Sequence, residues 1–265
     1  MKLDSKCIVV IGFPHNQKCG GLDPETKRSL DGLKLLYADH AAQKRLALLY
    51  ISGQSRPGMQ PKNYSMDKFM NGTMEKSKYI NIYDNYDLGS EPPKCGVGVI
   101  LLIHATAGFP KIFEAQTSTQ YIKKDNASNG RIIARLLKTL ALSGCIDKLQ
   151  LVACKGAKCE GSISLLQGIA DGIIDEGFEN PPLVIGWDVE VTHNADGSMS
   201  VASSNDPKVE SEHRQTLVPP PAYDPAATDR YETVLLWSPS GYQPAHNVNW
   251  SGRQAMKTSK RCVLL

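Results

Sequence analysis

Unbroken apolar runs of five to seven residues alternate along this chain with stretches in which apolar positions recur every three to four residues. Runs of the first kind are what strands buried on both faces of a parallel sheet look like, and stretches of the second kind are amphipathic helices. Cys7-Ile8-Val9-Val10-Ile11-Gly12-Phe13, closed by Pro14, reads as the first strand. From Pro24 to about Leu49, the positions Leu30, Leu33, Leu36, Tyr37, Ala41, Leu46 and Leu49 predict one long amphipathic helix. Asp23 is its N-cap and Pro24 its first helical residue. Residues 53–77 are rich in Gly, Pro, Asn, Ser, Lys and Met and read as an exposed excursion, after which 78–83 alternates at strand period.

Two central runs follow. Val97 to Ile103 is continuously apolar and ends on His104, and Leu149 to Ala153 ends on Cys154. Between them the stripe Ile132, Ile133, Leu136, Leu137 and Leu140 predicts a helix over 128–143, stopped by Gly144. Beyond Cys154, Ile163, Leu166, Ile169, Ala170 and Ile173 predict another over 162–175. Residues 183–191 read as a strand entering a hairpin that runs through Asp196-Gly197 to Val201. Residues 202–230, with Pro219-Pro220-Pro221, read as a linker or irregular cover, and 233–237 as a late strand. The fold class is therefore α/β, a three-layer sandwich with helices on both faces of a mainly parallel sheet. A single domain over 1–240 and a loosely ordered tail over 241–265 are expected.

Composition narrows the function. With 265 residues, 41% of them hydrophobic, the chain can bury a sizeable core, and a formal charge of +3 is too small a bias for a nucleic-acid binder. No segment reaches the roughly 20 apolar residues of a membrane span, and the N-terminus does not read as a secretory signal. The seven cysteines, an odd number without regular spacing, argue against a secreted disulfide framework and for a reducing cytosol. Cys154 and Cys159 lack the second pair or histidine cluster that a structural metal would need, and phosphate-binding glycine motifs are missing, so no metal or other cofactor is expected.

The chemistry sits at the ends of the central strands. Carboxyl ends of neighbouring parallel strands share one crevice, so His104 and Cys154 could meet although 154 − 104 = 50 positions separate them. A thiol beside an imidazole is a nucleophile with its base, and the amides of Cys154 and of Ala105 in Ala105-Thr106-Ala107-Gly108 are candidates for an oxyanion site. His15, which also follows a strand, is the rival base.

At these residues the chain resembles the clan of caspases, metacaspases, separases and the self-processing cysteine protease domains of bacterial toxins. Leu101-Leu102-Ile103-His104 is similar to their strand ending in His. Val152-Ala153-Cys154-Lys155-Gly156 is similar to the caspase Q-A-C-[RQG]-G, whose His lies about 50 residues upstream. The succession of elements to residue 201 looks most like the toxin type. The resemblance implies a caspase-like domain in which Cys154 is the nucleophile and His104 the base. Ala105 stands where the clan has Gly, and Val152 stands where caspases have the Gln of the aspartate pocket.

The last four residues, Cys262-Val263-Leu264-Leu265, form a prenylation motif, with Lys257, Lys260 and Arg261 just before it; the terminal Leu favours geranylgeranyl. Prenylation requires a eukaryotic cytosol. The expected protein is thus a membrane-tethered cysteine endopeptidase, eukaryotic or, given the toxin-like layout, a bacterial effector acting in a host cell. Its expected partners are a protein substrate, a host prenyltransferase and the cytosolic face of a membrane. The alternatives are an inactive protease-like scaffold on the same membrane and a Cys-His acyltransferase or deamidase.

Overall fold

The computed structural model describes residues 2–13, 22–51, 80–83, 96–106, 108–110, 114–116, 121–123, 125–140, 144–159, 163–219 and 232–234. The excursion at 53–77, His15, and the tail with Cys262 lie outside them.

Among the described residues one eight-stranded sheet organises the chain. Its strands are β1 (Cys7–Gly12), β2 (Leu46–Ile51), β3 (Ile80–Ile82), β4 (Val97–Leu102), β9 (Ile146–Val152), β10 (Leu183–Trp187), β13 (Arg214–Val218) and β14 (Glu232–Val234). They lie in the order β14-β13-β10-β9-β4-β1-β2-β3. The five central strands are parallel, and β3, β13 and β14 join antiparallel at the edges. The sheet reverses its winding between β1 and β4, the kind of place where an α/β sheet opens a crevice at its carboxyl edge.

Alternation along the strands separates two cores. Ile8, Val10, Leu48, Ile100, Leu102 and Val152 face helix α1 (Pro24–Leu36), where Leu30, Leu33 and Tyr37 cover them. Val9, Ile11, Val99, Leu101, Leu149 and Leu151 face the opposite layer, α3 (Asn126–Thr139) and α4 (Leu165–Asp175). Helices α3 and α4 cross backbone to backbone: a Cβ on Gly130 would overlap the Gly168 carbonyl group, so glycine at both positions lets them meet. Each helix begins on a side-chain cap, Asp23 accepting from the Thr26 amide, Asp125 from Ser128 and Ser164 from Gln167.

Three expectations are corrected. The single helix over 24–49 is in fact α1, a short α2 (Ala38–Ala42), a turn with Lys44 at φ 55°, and strand β2. Leu46 to Ile51 is apolar enough to be buried on both faces, and pairing with β1 from Ile8↔Leu46 onward wins over helical spacing. The strand over 183–191 breaks after Trp187, and the hairpin is a separate pair, β11 (Val191–His193) and β12 (Met199–Val201), turning at Gly197 with φ 81°. The first part of the supposed linker is ordered: α5 (Pro207–His213), capped by Asp206, runs straight into β13, which pairs with β10 through Val184↔Leu217. Smaller shifts come from the caps: α3 begins at Asn126 because Asp125 caps it, and α4 at Leu165 behind Ser164.

Hairpin β11–β12 lies against α1. A Cβ on Gly32 would strike the Asn194 carbonyl oxygen and the Gly197 amide, so the helix carries glycine where the hairpin backbone touches it. A second hairpin, β5 (Ala105–Thr106) with β6 (Phe109–Pro110), follows β4 directly, and a third pairs β7 (Glu114–Gln116) with β8 (Tyr121–Lys123).

Candidate active site

Strands β4 and β9 run in register to their ends, Leu102 opposite Val152, and Ile103 N–H donates to the Val152 carbonyl at 3.0 Å. One pleat further on come His104 and Cys154, on the face that Leu102 and Val152 share, with neighbouring strands about 4.8 Å apart. Both line one cleft at the carboxyl edge, bounded by the first turns of α1 and by β11. Glycine also lets the two following loops touch, since a Cβ on Gly108 would stand 2.8 Å from the Lys155 carbonyl oxygen.

His104 is held from α1. Its Nε2 lies 3.0 Å from Thr26 Oγ1 and 3.7 Å from Asp23 Oδ1, and its Nδ1 lies 3.7 Å from Glu25 Oε2. Thr26 Oγ1 is 2.7 Å from Asp23 Oδ2 and 3.3 Å from the Phe13 carbonyl oxygen. A hydroxyl has one proton to give, and the close, charged carboxylate takes it. Towards His104 the hydroxyl is then an acceptor, which assigns the neutral ring's proton to Nε2 and its lone pair to Nδ1. Thr26 stands this close because β1 ends in Gly12, where a Cβ would be 2.6 Å from the Thr26 methyl.

Cys154 is partly exposed, and its thiol donates to the Val191 carbonyl at 3.8 Å. Its own amide donates to no acceptor among the described residues. The loop behind it is fixed by Lys155 N–H to Val189 O at 2.8 Å, Ala157 N–H to Trp187 O at 2.9 Å and Leu166 N–H to Gly156 O at 2.9 Å. Lys155 adopts φ 56°, the left-handed region, which re-aims the chain immediately after the thiol. Gly156 is packed against Leu151 and Ala153, so a side chain there would push into the β9 core.

Sequence reasoning did not connect Asp23, Glu25, Thr26 or His193 with this site. Asp23 was legible as a cap, and the turn it caps stands above β1, next to β4, so that topology was the signal available. His193 carried no signal at all. It is buried on the inward side of β11, 4% exposed, and lines the cleft; neither ring nitrogen has a hydrogen-bond partner. Burial holds its titration down from 6.5 to about 4, while the nearby Gly197 backbone pulls more weakly towards the protonated form without bonding geometry.

Cys159 is disulfide-bonded, whereas Cys7, Cys145 and Cys154 are free thiols. No helix among the described residues is long and apolar enough to cross a membrane.

No protein-family model matches the chain, and no curated protein matches it. Among solved structures it is similar to two of a secreted C11 cysteine protease from Bacteroides thetaiotaomicron. One, in complex with an irreversible peptide inhibitor, matches at 11% identity and a TM-score of 0.32, over 72% of this chain and 51% of that one. The other, named iotapain, matches at 12% identity and a TM-score of 0.36, over 74% and 55%. The chain thus aligns with about half of each protease, and similarity at this level assigns neither family nor activity.

Proposed function

We propose that the chain is a cysteine peptidase in which Cys154 is the nucleophile and His104 the base. One observation carries the reading: the thiol and the imidazole follow in-register parallel strands that are neighbours in the sheet, on one face, and both line the same cleft. The thiol proton passes to His104 Nδ1 as Sγ bonds to the scissile carbonyl carbon. The C–N bond then breaks as the imidazolium protonates the leaving amine. Water, deprotonated by the same ring, hydrolyses the thioester and regenerates the thiol. The Cys154 amide, which donates to no acceptor among the described residues, suits together with that of Ala105 the oxyanion of both tetrahedral intermediates.

Thr26 and Asp23 act as positioning residues in this scheme. The accepting hydroxyl fixes the ring and its tautomer, and the carboxylates of Asp23 and Glu25 stabilise the imidazolium when it forms, favouring the thiolate. The caspase-like strand order, with the base after β4 and the nucleophile after β9, supports the same assignment.

The motif at Cys262 supports a second part of the proposal, that a prenyl group tethers the enzyme to the cytosolic face of a host or eukaryotic membrane. Labelling with an alkyne iodoacetamide probe should mark Cys154 in the full chain. Cells expressing the wild-type protein, but not Cys154→Ala, should show new protein termini. Equal termini from both would remove the peptidase assignment. Radiolabelled isoprenoid incorporation that persists in Cys262→Ser would remove the tether.

A further inference from the structure

We infer that the cleft beside Cys154 takes up the substrate side chain that precedes the scissile bond, and that His193 makes it selective for a carboxamide, asparagine or glutamine. The inference rests on the peptidase reading and adds a substrate class to it. Leu102 and Val152 form the apolar floor between the sheet and α1, Thr26 and Ser29 stand on one wall, and Val191 and His193 on the other. A side chain entering the cleft therefore meets apolar surface as well as His193.

The chemistry of the walls decides among the entrants. A buried polar side chain normally finds a partner, and His193 has two ring nitrogens with none, one a donor and one an acceptor while the ring is neutral. A carboxamide also carries both kinds of group, so its oxygen can accept from the imidazole while its NH2 turns to the hydroxyl wall or to the ring's lone pair. An aspartate or glutamate could accept from the neutral ring's N–H but would bury a charge there, and burial opposes the protonated ring that would neutralise it. It would also meet Asp23 and Glu25 with no cation among the described lining residues. A lysine ammonium only donates, so it would leave the imidazole N–H without a partner, and Glu25, which is 54% exposed, would hold it at the mouth. A leucine would leave both ring nitrogens without partners.

The test uses the full-length chain and irreversible peptidyl acyloxymethyl ketones, identical except for Asn, Asp, Leu or Lys next to the warhead. Cys154 modification is followed by mass spectrometry. The asparaginyl probe should react at least about tenfold faster than each of the others, the size expected when a site built to hydrogen-bond is offered a group that cannot. His193→Leu should cut that advantage to about threefold or less, and His193→Gln, which keeps a donor and an acceptor, should retain part of it; near-ultraviolet circular dichroism checks that both variants fold. Equal rates for all four probes would leave the peptidase reading standing and overturn the inference. So would an acidic or basic preference, or an asparagine preference that survives His193→Leu in folded protein. No modification of Cys154 by any probe would overturn both.

Discussion

Acidification should weaken this fold through His193. In the unfolded chain the ring titrates near 6.5, and burial in the folded protein lowers that to about 4. Between the two values the unfolded chain binds a proton that the native state refuses, so unfolding becomes easier as pH falls. At about 1.4 kcal/mol per pH unit the whole window removes about 3 kcal/mol, a large part of a typical domain's 5–15 kcal/mol. The contribution is complete above 6.5, declines as pH drops towards 4, and changes no further once both states hold the proton. Glu25, His104 and Cys154 line the same cleft, so the comparison must isolate one ring. Urea unfolding of wild type and His193→Gln, between about pH 7 and pH 4, isolates it by difference. Trp187, fully buried and donating to Glu210 Oε1 at 2.9 Å, contributes to the fluorescence signal. The variant lacks the titrating ring, so its stability should fall less steeply, by about 3 kcal/mol over the window. Parallel curves for the two proteins, within about 0.5 kcal/mol, would show that His193 is not held neutral by burial.

Thr26→Val keeps the shape of the side chain and removes the hydroxyl that orients His104. It should lower kcat/KM by about tenfold to a hundredfold through kcat, with KM little changed; an effect confined to KM would place Thr26 in substrate binding instead. Asp23→Asn should shift the acidic limb of the pH–rate profile to lower pH, because it removes a carboxylate 3.7 Å from the ring that favours the imidazolium over the neutral base; an unmoved limb would exclude that electrostatic role. Gly130→Ala should cost about 3 kcal/mol or more in denaturant unfolding, since its methyl would overlap the Gly168 backbone. Lys44→Gly should instead raise Tm slightly, by up to about 1 kcal/mol of stability, because φ 55° strains a lysine and suits a glycine.

Local pattern sufficed where local physics decides. Apolar runs long enough to be buried on both faces marked β1, β4 and β9, the stripes at 132–140 and 163–173 marked α3 and α4, and chain order put His104 and Cys154 after strands. It failed where pairing overrode periodicity. Leu46 and Leu49 suit a helix as well as a strand, and only the neighbouring β1 makes them β2. Arg214 to Val218 looks polar until β10 supplies a ladder for it. The surroundings of the thiol and the imidazole were still less legible. Thr26 reaches His104 across 78 positions, and His193 enters the same cleft from a hairpin packed against Gly32 on α1. A one-dimensional pattern carries which residues want burial and which backbone they prefer. Which buried faces meet, and which polar groups are left unpaired between them, depends on contacts that no local window contains.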